Sequence, residues 1–150
     1  MLNVGDVAPD FTVMTDAGEE FMLSKHKGEK IVLYFYPRAD TPGCTIEACE
    51  IRDAITKFVD KGVTVIGVSP DTEKAQAKFK TKFDLNFTLL ADAEKDIANK
   101  YFVMKEKNMY GKKVTGVART TFVIGEDGKI AKIYANVKPE GHAAELLAGL

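Results

Sequence analysis

The sequence predicts an α/β fold: a mixed central β-sheet flanked by helices on both faces. Three observations carry that expectation. Ile31-Val32-Leu33-Tyr34-Phe35-Tyr36 is an uninterrupted apolar run, β-branched and aromatic, which fits a strand buried on both faces. Val63-Thr64-Val65-Ile66-Gly67-Val68 reads as a second buried strand, and the helical stretch from Pro42 to Lys61 between them completes a βαβ unit. Its crossover should be right-handed. Towards the C-terminus, Gly125-Glu126-Asp127-Gly128 separates two strand-like runs and is a strong hairpin signal.

The remaining elements follow from local pattern. Asp10–Met14 and Glu20–Leu23 are short strand-like pieces around the turn signal Thr15-Asp16-Ala17-Gly18. Pro37 stops the first buried strand, and Gly62 stops the helix after it. Thr72–Phe83 is a second amphipathic helix, with Ala75, Phe79 and Phe83 four apart and lysines opposite. Phe87–Ala91 is a short strand, Lys95–Phe102 a short helix, and Tyr110–Lys113 an exposed turn. Arg119–Ile124 and Lys129–Tyr134 are the hairpin strands, and Pro139–Ala148 is a closing helix with Gly149 as its stop. A βαβ half followed by a hairpin and a terminal helix is a thioredoxin-like plan.

Composition narrows the function. At 150 residues and 45% hydrophobic, the chain has the size and balance of one globular domain. A net charge of −1 argues against a phosphate-tracking surface, so nucleic acid is not an expected partner. No apolar run approaches the ~20 residues that cross a bilayer. Met1-Leu2-Asn3-Val4-Gly5-Asp6 lacks the basic and apolar segments of a secretory signal, so a cytoplasmic chain is the expectation. Two cysteines are too few for a disulfide scaffold. With His26 and His142 they would match no familiar zinc spacing, so no metal is expected. No Gly-rich phosphate-binding pattern is present either.

The informative stretch runs from Tyr34 to Cys49. Thr41 suits the N-cap of the helix, and Pro42 then occupies the first helical position, where a missing N–H goes unnoticed. Cys44 falls at the third position, beside unpaired backbone N–H groups and the positive end of the helix dipole. Such surroundings favour the thiolate and make a nucleophile. Cys44, Ala48, Ile51, Ile55 and Phe58 share the stripe that faces the sheet. Cys49 lies about 140° around the axis, off that stripe, where a thiol is better explained as a redox partner than as packing.

These residues resemble the peroxiredoxins, of the bacterioferritin-comigratory or Q type. The superfamily's Pro-x-x-x-Thr-x-x-Cys signature stands intact as Pro37, Thr41 and Cys44, with the Q-type second cysteine at Cys49. The likeness extends through Gly5-Asp6-x-Ala8-Pro9-Asp10-Phe11, Gly67-Val68-Ser69-Pro70-Asp71, Tyr110-Gly111-Lys112-Lys113, Arg119-Thr120-Thr121-Phe122-Val123-Ile124 and Gly141-His142-Ala143. It implies a thiol peroxidase acting on hydrogen peroxide and organic hydroperoxides. Cys44 would be the peroxidatic nucleophile, with Thr41, the Cys44 N–H and Arg119 stabilising the developing charge and Pro37 shielding the sulfur. It further implies a sulfenic acid at Cys44, a Cys44–Cys49 disulfide, and recycling by thioredoxin or a similar dithiol. No cofactor is implied, and the scheme suits a monomer.

On one α-helix the two cysteines lie about 7.5 Å apart along the axis, with their Cα atoms roughly 8–9 Å apart. A disulfide needs Cα atoms within about 7 Å, so the implied bond requires the helix to unwind near residues 41 to 52. Glu47 reads as an early-helix acid helped by the dipole, Arg38 and Arg52 as surface charges, His26 as a solvated loop residue, and His142 as structural or surface. Two other functions share this fold. A protein thiol–disulfide oxidoreductase would ordinarily use Cys-x-x-Cys and would leave Thr41 and Arg119 without a purpose. A binding module would leave both cysteines incidental.

Overall fold

The computed structural model describes residues 1–150, with Met109 described by its backbone only. Its central sheet is built from β3 (Lys30–Phe35), β4 (Val63–Ser69), β5 (Thr88–Ala91), β8 (Thr120–Ile124) and β9 (Ile130–Tyr134). Their order across the sheet is β5-β4-β3-β8-β9, with β3, β4 and β5 parallel and β8 and β9 antiparallel. The helices are α1 (Pro42–Asp60), α2 (Glu73–Phe83), α3 (Asp96–Lys100) and α4 (His142–Gly149). A small antiparallel pair, β1 (Thr12–Met14) and β2 (Glu20–Met22), precedes the sheet, with a 3-10 turn at Leu23–His26.

The apolar run of β3 explains the layering. Successive side chains of a strand point to opposite faces. Ile31, Leu33 and Phe35 therefore join Phe11, Ile97, Tyr101 and Phe122 in one cluster, under β1, β2 and α3. Val32, Tyr34 and Tyr36 face the other way, into a cluster with Ala48, Ile51, Phe58, Phe79 and Leu146 under α1, α2 and α4. A thioredoxin-like mixed sheet with helices on both faces is what results.

Several elements differ from expectation. Residues 104–117 form a two-stranded ribbon, β6 (Met104–Met109) and β7 (Lys112–Val117), where the sequence suggested only a turn at Tyr110–Lys113. The turn is present, with Tyr110 at φ 53° and Gly111 at φ 79°, the handedness a tight hairpin needs. Most positions of these strands are exposed, so no burial alternation marks them in the sequence.

The closing helix begins at His142 rather than Pro139. Gly141, at φ 82°, caps it and donates its N–H to Glu50 Oε1 at 2.8 Å, which leaves Pro139 outside. In α2 the buried face centres on Gln76 and Phe79 rather than on Ala75. Gln76 is fully buried and accepts from the Tyr36 hydroxyl at 2.6 Å while donating to the Leu90 carbonyl at 2.9 Å. His26 is half-buried, stacked on Phe21 and bonded to Glu29.

Candidate active site

The carboxyl end of β3 delivers the chain to a loop, and the loop to the start of α1. Asp71, just after β4, organises the turn by accepting from the Ala39 N–H at 2.8 Å and the Ser69 hydroxyl at 2.6 Å. Pro37 lies half-buried in this loop, and Asp40 has a left-handed φ of 59°. Thr41 then turns extended, and Pro42 opens the helix as its first residue.

Thr41 occupies the N-cap but does not cap. Its hydroxyl donates to the Arg38 carbonyl at 2.9 Å, and no side chain of the described residues accepts from the first helical N–H groups. The expected cap is therefore replaced by a loop-closing bond, and the amino end of α1 keeps its donors free.

Cys44 sits one turn in, 1% exposed, within the apolar cluster between α1 and the sheet. Arg119 reaches it from the short connection between β7 and β8, with Nη2 3.2 Å from Sγ. Nη1 of the same guanidinium lies 3.3 Å from Glu47 Oε1. Arg119 is thus held between the thiol and a carboxylate, not solvated at a strand end. Gly43 makes this approach possible: a Cβ there would stand 2.7 Å from Arg119 Nη2 and 3.2 Å from Pro139 Cγ. Any larger residue would push the guanidinium away.

Glu47 is the residue whose placement sequence reasoning misjudged. Read as an early-helix acid helped by the dipole, it is instead 1% exposed, and burial pushes its carboxyl up to about 7 against the opposing pull of Arg119. Its position was a usable signal: Glu47 sits three residues after Cys44, on the same helical side. Cys49, by contrast, is half-buried and off the core stripe, and both cysteines are free thiols on an unbroken helix. Arg38 is exposed, and Arg52 binds Asp53 and the Phe83 carbonyl rather than Cys44.

His142 is buried and anchors α4. Its Nε2 shares a hydrogen bond with Thr121 Oγ1 at 2.7 Å and its Nδ1 with Glu145 Oε1 at 2.8 Å. Burial lowers its pKa from the ordinary imidazole range, which suits a neutral ring between these partners. Among the described residues, no three His, Cys, Asp or Glu side chains gather as a metal site would require. Among the same residues, no helix is long and apolar enough to cross a membrane.

Residues 4–133 match the model of the AhpC/TSA family. A putative peroxiredoxin Bcp of Coxiella burnetii is 48% identical over 149 residues, covering 99% of each chain. Peroxiredoxin Bcp of Bacillus subtilis is 44% identical, covering 99% of this chain and 95% of its own. The chain belongs to the peroxiredoxins of the Bcp, or Q, type. Among solved structures, a cysteine-to-serine variant of Xylella fastidiosa PrxQ superposes with a TM-score of 0.94 at 33% identity, over 99% of this chain and 95% of that one. As a peroxiredoxin the protein is a thiol-dependent peroxidase, with a peroxide as oxidant and a thiol as reductant. The arrangement fits that chemistry, since a buried thiol, a guanidinium and free amide donors meet at one helix end.

Proposed function

We propose that Cys44 is the peroxidatic cysteine of this peroxidase. The observation that carries the reading is the 3.2 Å contact between Arg119 Nη2 and Cys44 Sγ at the uncapped amino end of α1. The Cys44 thiolate attacks the near oxygen of ROOH, an S–O bond forms as the O–O bond breaks, and the RO⁻ released takes up a proton to leave as water or alcohol. Cys44 is left as sulfenic acid. Arg119 and the free helix N–H groups stabilise charge that migrates from sulfur to the departing oxygen. The proton of Thr41 is engaged by the Arg38 carbonyl, so Thr41 Oγ1 offers a lone pair to the peroxide O–H instead of donating to it. Pro37, half-buried in the loop before α1, limits access of bulk water.

Recycling follows from Cys49. The sulfenic acid condenses with the Cys49 thiol, releasing water and forming an intramolecular disulfide, which thioredoxin or a similar dithiol reduces by exchange while itself becoming a disulfide. No cofactor enters, and a single copy of the chain suffices. Hydrogen peroxide and organic hydroperoxides both fit. Gly43, Ile46 and Pro139, with Lys138 and Glu140, line an open cavity of about 440 Å³ at the amino end of α1, with room for an alkyl group, although Cys44 itself is not part of its wall. A structure of the Xanthomonas campestris bacterioferritin comigratory protein, 34% identical, is described in terms of alkyl peroxide reduction.

The test is peroxide consumption with dithiothreitol as reductant. Cys44→Ser abolishes turnover, because a serine hydroxyl is scarcely ionised where a thiolate is needed. Cys49→Ser consumes one equivalent of peroxide and then stalls with thioredoxin. Undiminished turnover in Cys44→Ser would refute the assignment, and full thioredoxin-linked turnover in Cys49→Ser would refute the resolving role.

A further inference from the structure

The ribbon β6–β7 has no share in the chemistry just described, yet it is built conspicuously. It is a two-stranded pair outside the central sheet, and an isolated pair of this kind is only marginally stable in water. At its tip Tyr110 is 99% exposed, and at its base Phe102 is 61% exposed, both aromatic residues held at positive φ. Non-glycine residues tolerate that conformation at a cost and cluster where function demands it. Residues 104–117 carry four lysines and one glutamate, a net +3 on a chain whose total is −1, leaving −4 on all the other residues.

The root of the ribbon is joined to the active site. β7 ends at Val117, two residues before Arg119. At the base, Lys105 Nζ bonds to Asn136 Oδ1 at 2.9 Å, and the next residue, Val137, donates to the Arg119 carbonyl at 3.1 Å. The same stretch continues to Pro139, which packs over Gly43. An apolar groove of about 400 Å³, bordered by Leu2, Phe102, Val103, Ala118 and Asn136, lies at the ribbon's root.

We infer that the ribbon and the groove at its root form the docking surface for the protein dithiol that re-reduces the enzyme, and that this partner presents an acidic face. The inference rests on the dithiol recycling proposed above. Lys105, Lys112 and Lys113 steer an anionic surface towards the site, while Tyr110 and Phe102 are amphipathic and apolar anchors of the type that dominates interface energetics. The groove's floor, Tyr101, Phe122 and Ile133, belongs to the face of the sheet away from α1, so a partner seated there approaches the start of α1 along residues 136–139 at the end of the sheet. A second copy of this chain is disfavoured where the two-fold axis would pass through the ribbon, since that contact would bring the same lysines together.

The experiment compares two reductants across ionic strength. With an acidic thioredoxin, its reductase and NADPH, kcat/KM for thioredoxin should fall as salt rises, while turnover with uncharged dithiothreitol should not. The variant Lys105→Glu/Lys112→Glu/Lys113→Glu should lose roughly tenfold or more in kcat/KM for thioredoxin, retain dithiothreitol-driven turnover, and lose the salt dependence. Tyr110→Ala should raise the KM for thioredoxin without slowing the dithiothreitol reaction. A salt-independent thioredoxin reaction in the unaltered protein would overturn the inference without recourse to any variant. So would an unchanged thioredoxin kcat/KM in the charge variant, or conversion of a dimer to a monomer by it, which would mark the ribbon as a self-interface. Absence of dithiothreitol-supported turnover in the unaltered protein would instead refute the peroxidase assignment at Cys44.

Discussion

The start of α1 and the β6–β7 ribbon flank the same arginine but are made on opposite principles. In α1, Cys44, Glu47, Ala48 and Ile51 are buried, and Cys44 and Glu47 both contact Arg119. In the ribbon, nearly every described side chain is exposed or half-buried, and its one internal ion pair, Lys113 with Glu106, spans 3.7 Å in solvent. Packing and desolvation therefore set properties on one side, while surface charge sets them on the other. Substitution in α1 should alter folding and chemistry together. Substitution in the ribbon should alter neither.

Stability gives the widest separation. Ile51→Ala empties a fully buried position and should lower the unfolding free energy by about 2–5 kcal/mol. Val114→Ala removes a similar side chain from a ribbon position that is 39% exposed and should change it by no more than about 0.5 kcal/mol. Urea denaturation of the two variants reads this directly, and comparable losses would mean that the ribbon is part of the cooperative core. Chemistry separates them next. Arg119→Ala should slow the first-turnover reaction with peroxide about a hundredfold, close to 2.7 kcal/mol of barrier, as seen when a preorganised donor is lost from a charged transition state. Stopped-flow measurement of that step should find the ribbon lysine variant unaffected.

The two regions also differ in what must move. The proposed Cys44–Cys49 disulfide cannot form across an intact α1, because the Cα atoms of residues five apart on a helix are too distant and their side chains diverge. The amides of residues 42–52 should therefore exchange at least about tenfold faster in the disulfide form, while those of the ribbon strands keep their rate. The Glu50–Gly141 bond ties this half of α1 to the cap of α4, so protection at residues 141–145 should fall as well. Equal protection of residues 42–52 in both redox forms would show that the disulfide forms without unwinding.

The contrast also governs how much of the molecule was legible in its sequence. α1 could be bounded to within one residue, because Pro42 and Gly62 punctuate it and its apolar stripe repeats at helical spacing. β3 and β4 were legible for the same reason: burial leaves a pattern. The ribbon was not, since strands exposed on both sides impose no alternation, and its turn is Tyr-Gly instead of the usual Asn-Gly. At the proposed site, helix position singles out Cys44, while Thr41 and Pro37 enter through the family signature that they complete with it. The Arg119–Glu47 contact joins residues 72 apart in the chain, which local pattern cannot reveal. The start of α4 shifted because a long-range bond to Glu50 engages the Gly141 N–H, again invisible to spacing.

Glu47 allows the finest test of how burial governs the α1 side. Its carboxyl titrates near 7 in the folded protein against an ordinary 4.5, so between those values the folded state holds a proton that the unfolded chain has released. Stability therefore falls as pH rises through that window, in proportion to the proton difference, and levels off above and below it. Glu47→Gln keeps an oxygen for Arg119 Nη1 but has nothing to ionise. Its melting temperature relative to the unaltered protein should thus rise between about pH 4 and about pH 8, with the change centred between 4.5 and 7. The pull of Arg119 is already contained in that value, and at roughly 1.4 kcal/mol per pH unit and about 2–4 °C per kcal/mol the rise should reach on the order of ten degrees at most. The ribbon's exposed Glu106, changed to Gln, should show no such trend. A flat difference for Glu47→Gln would mean that Arg119 compensates the buried charge in full, making the pair a neutral unit across the physiological range.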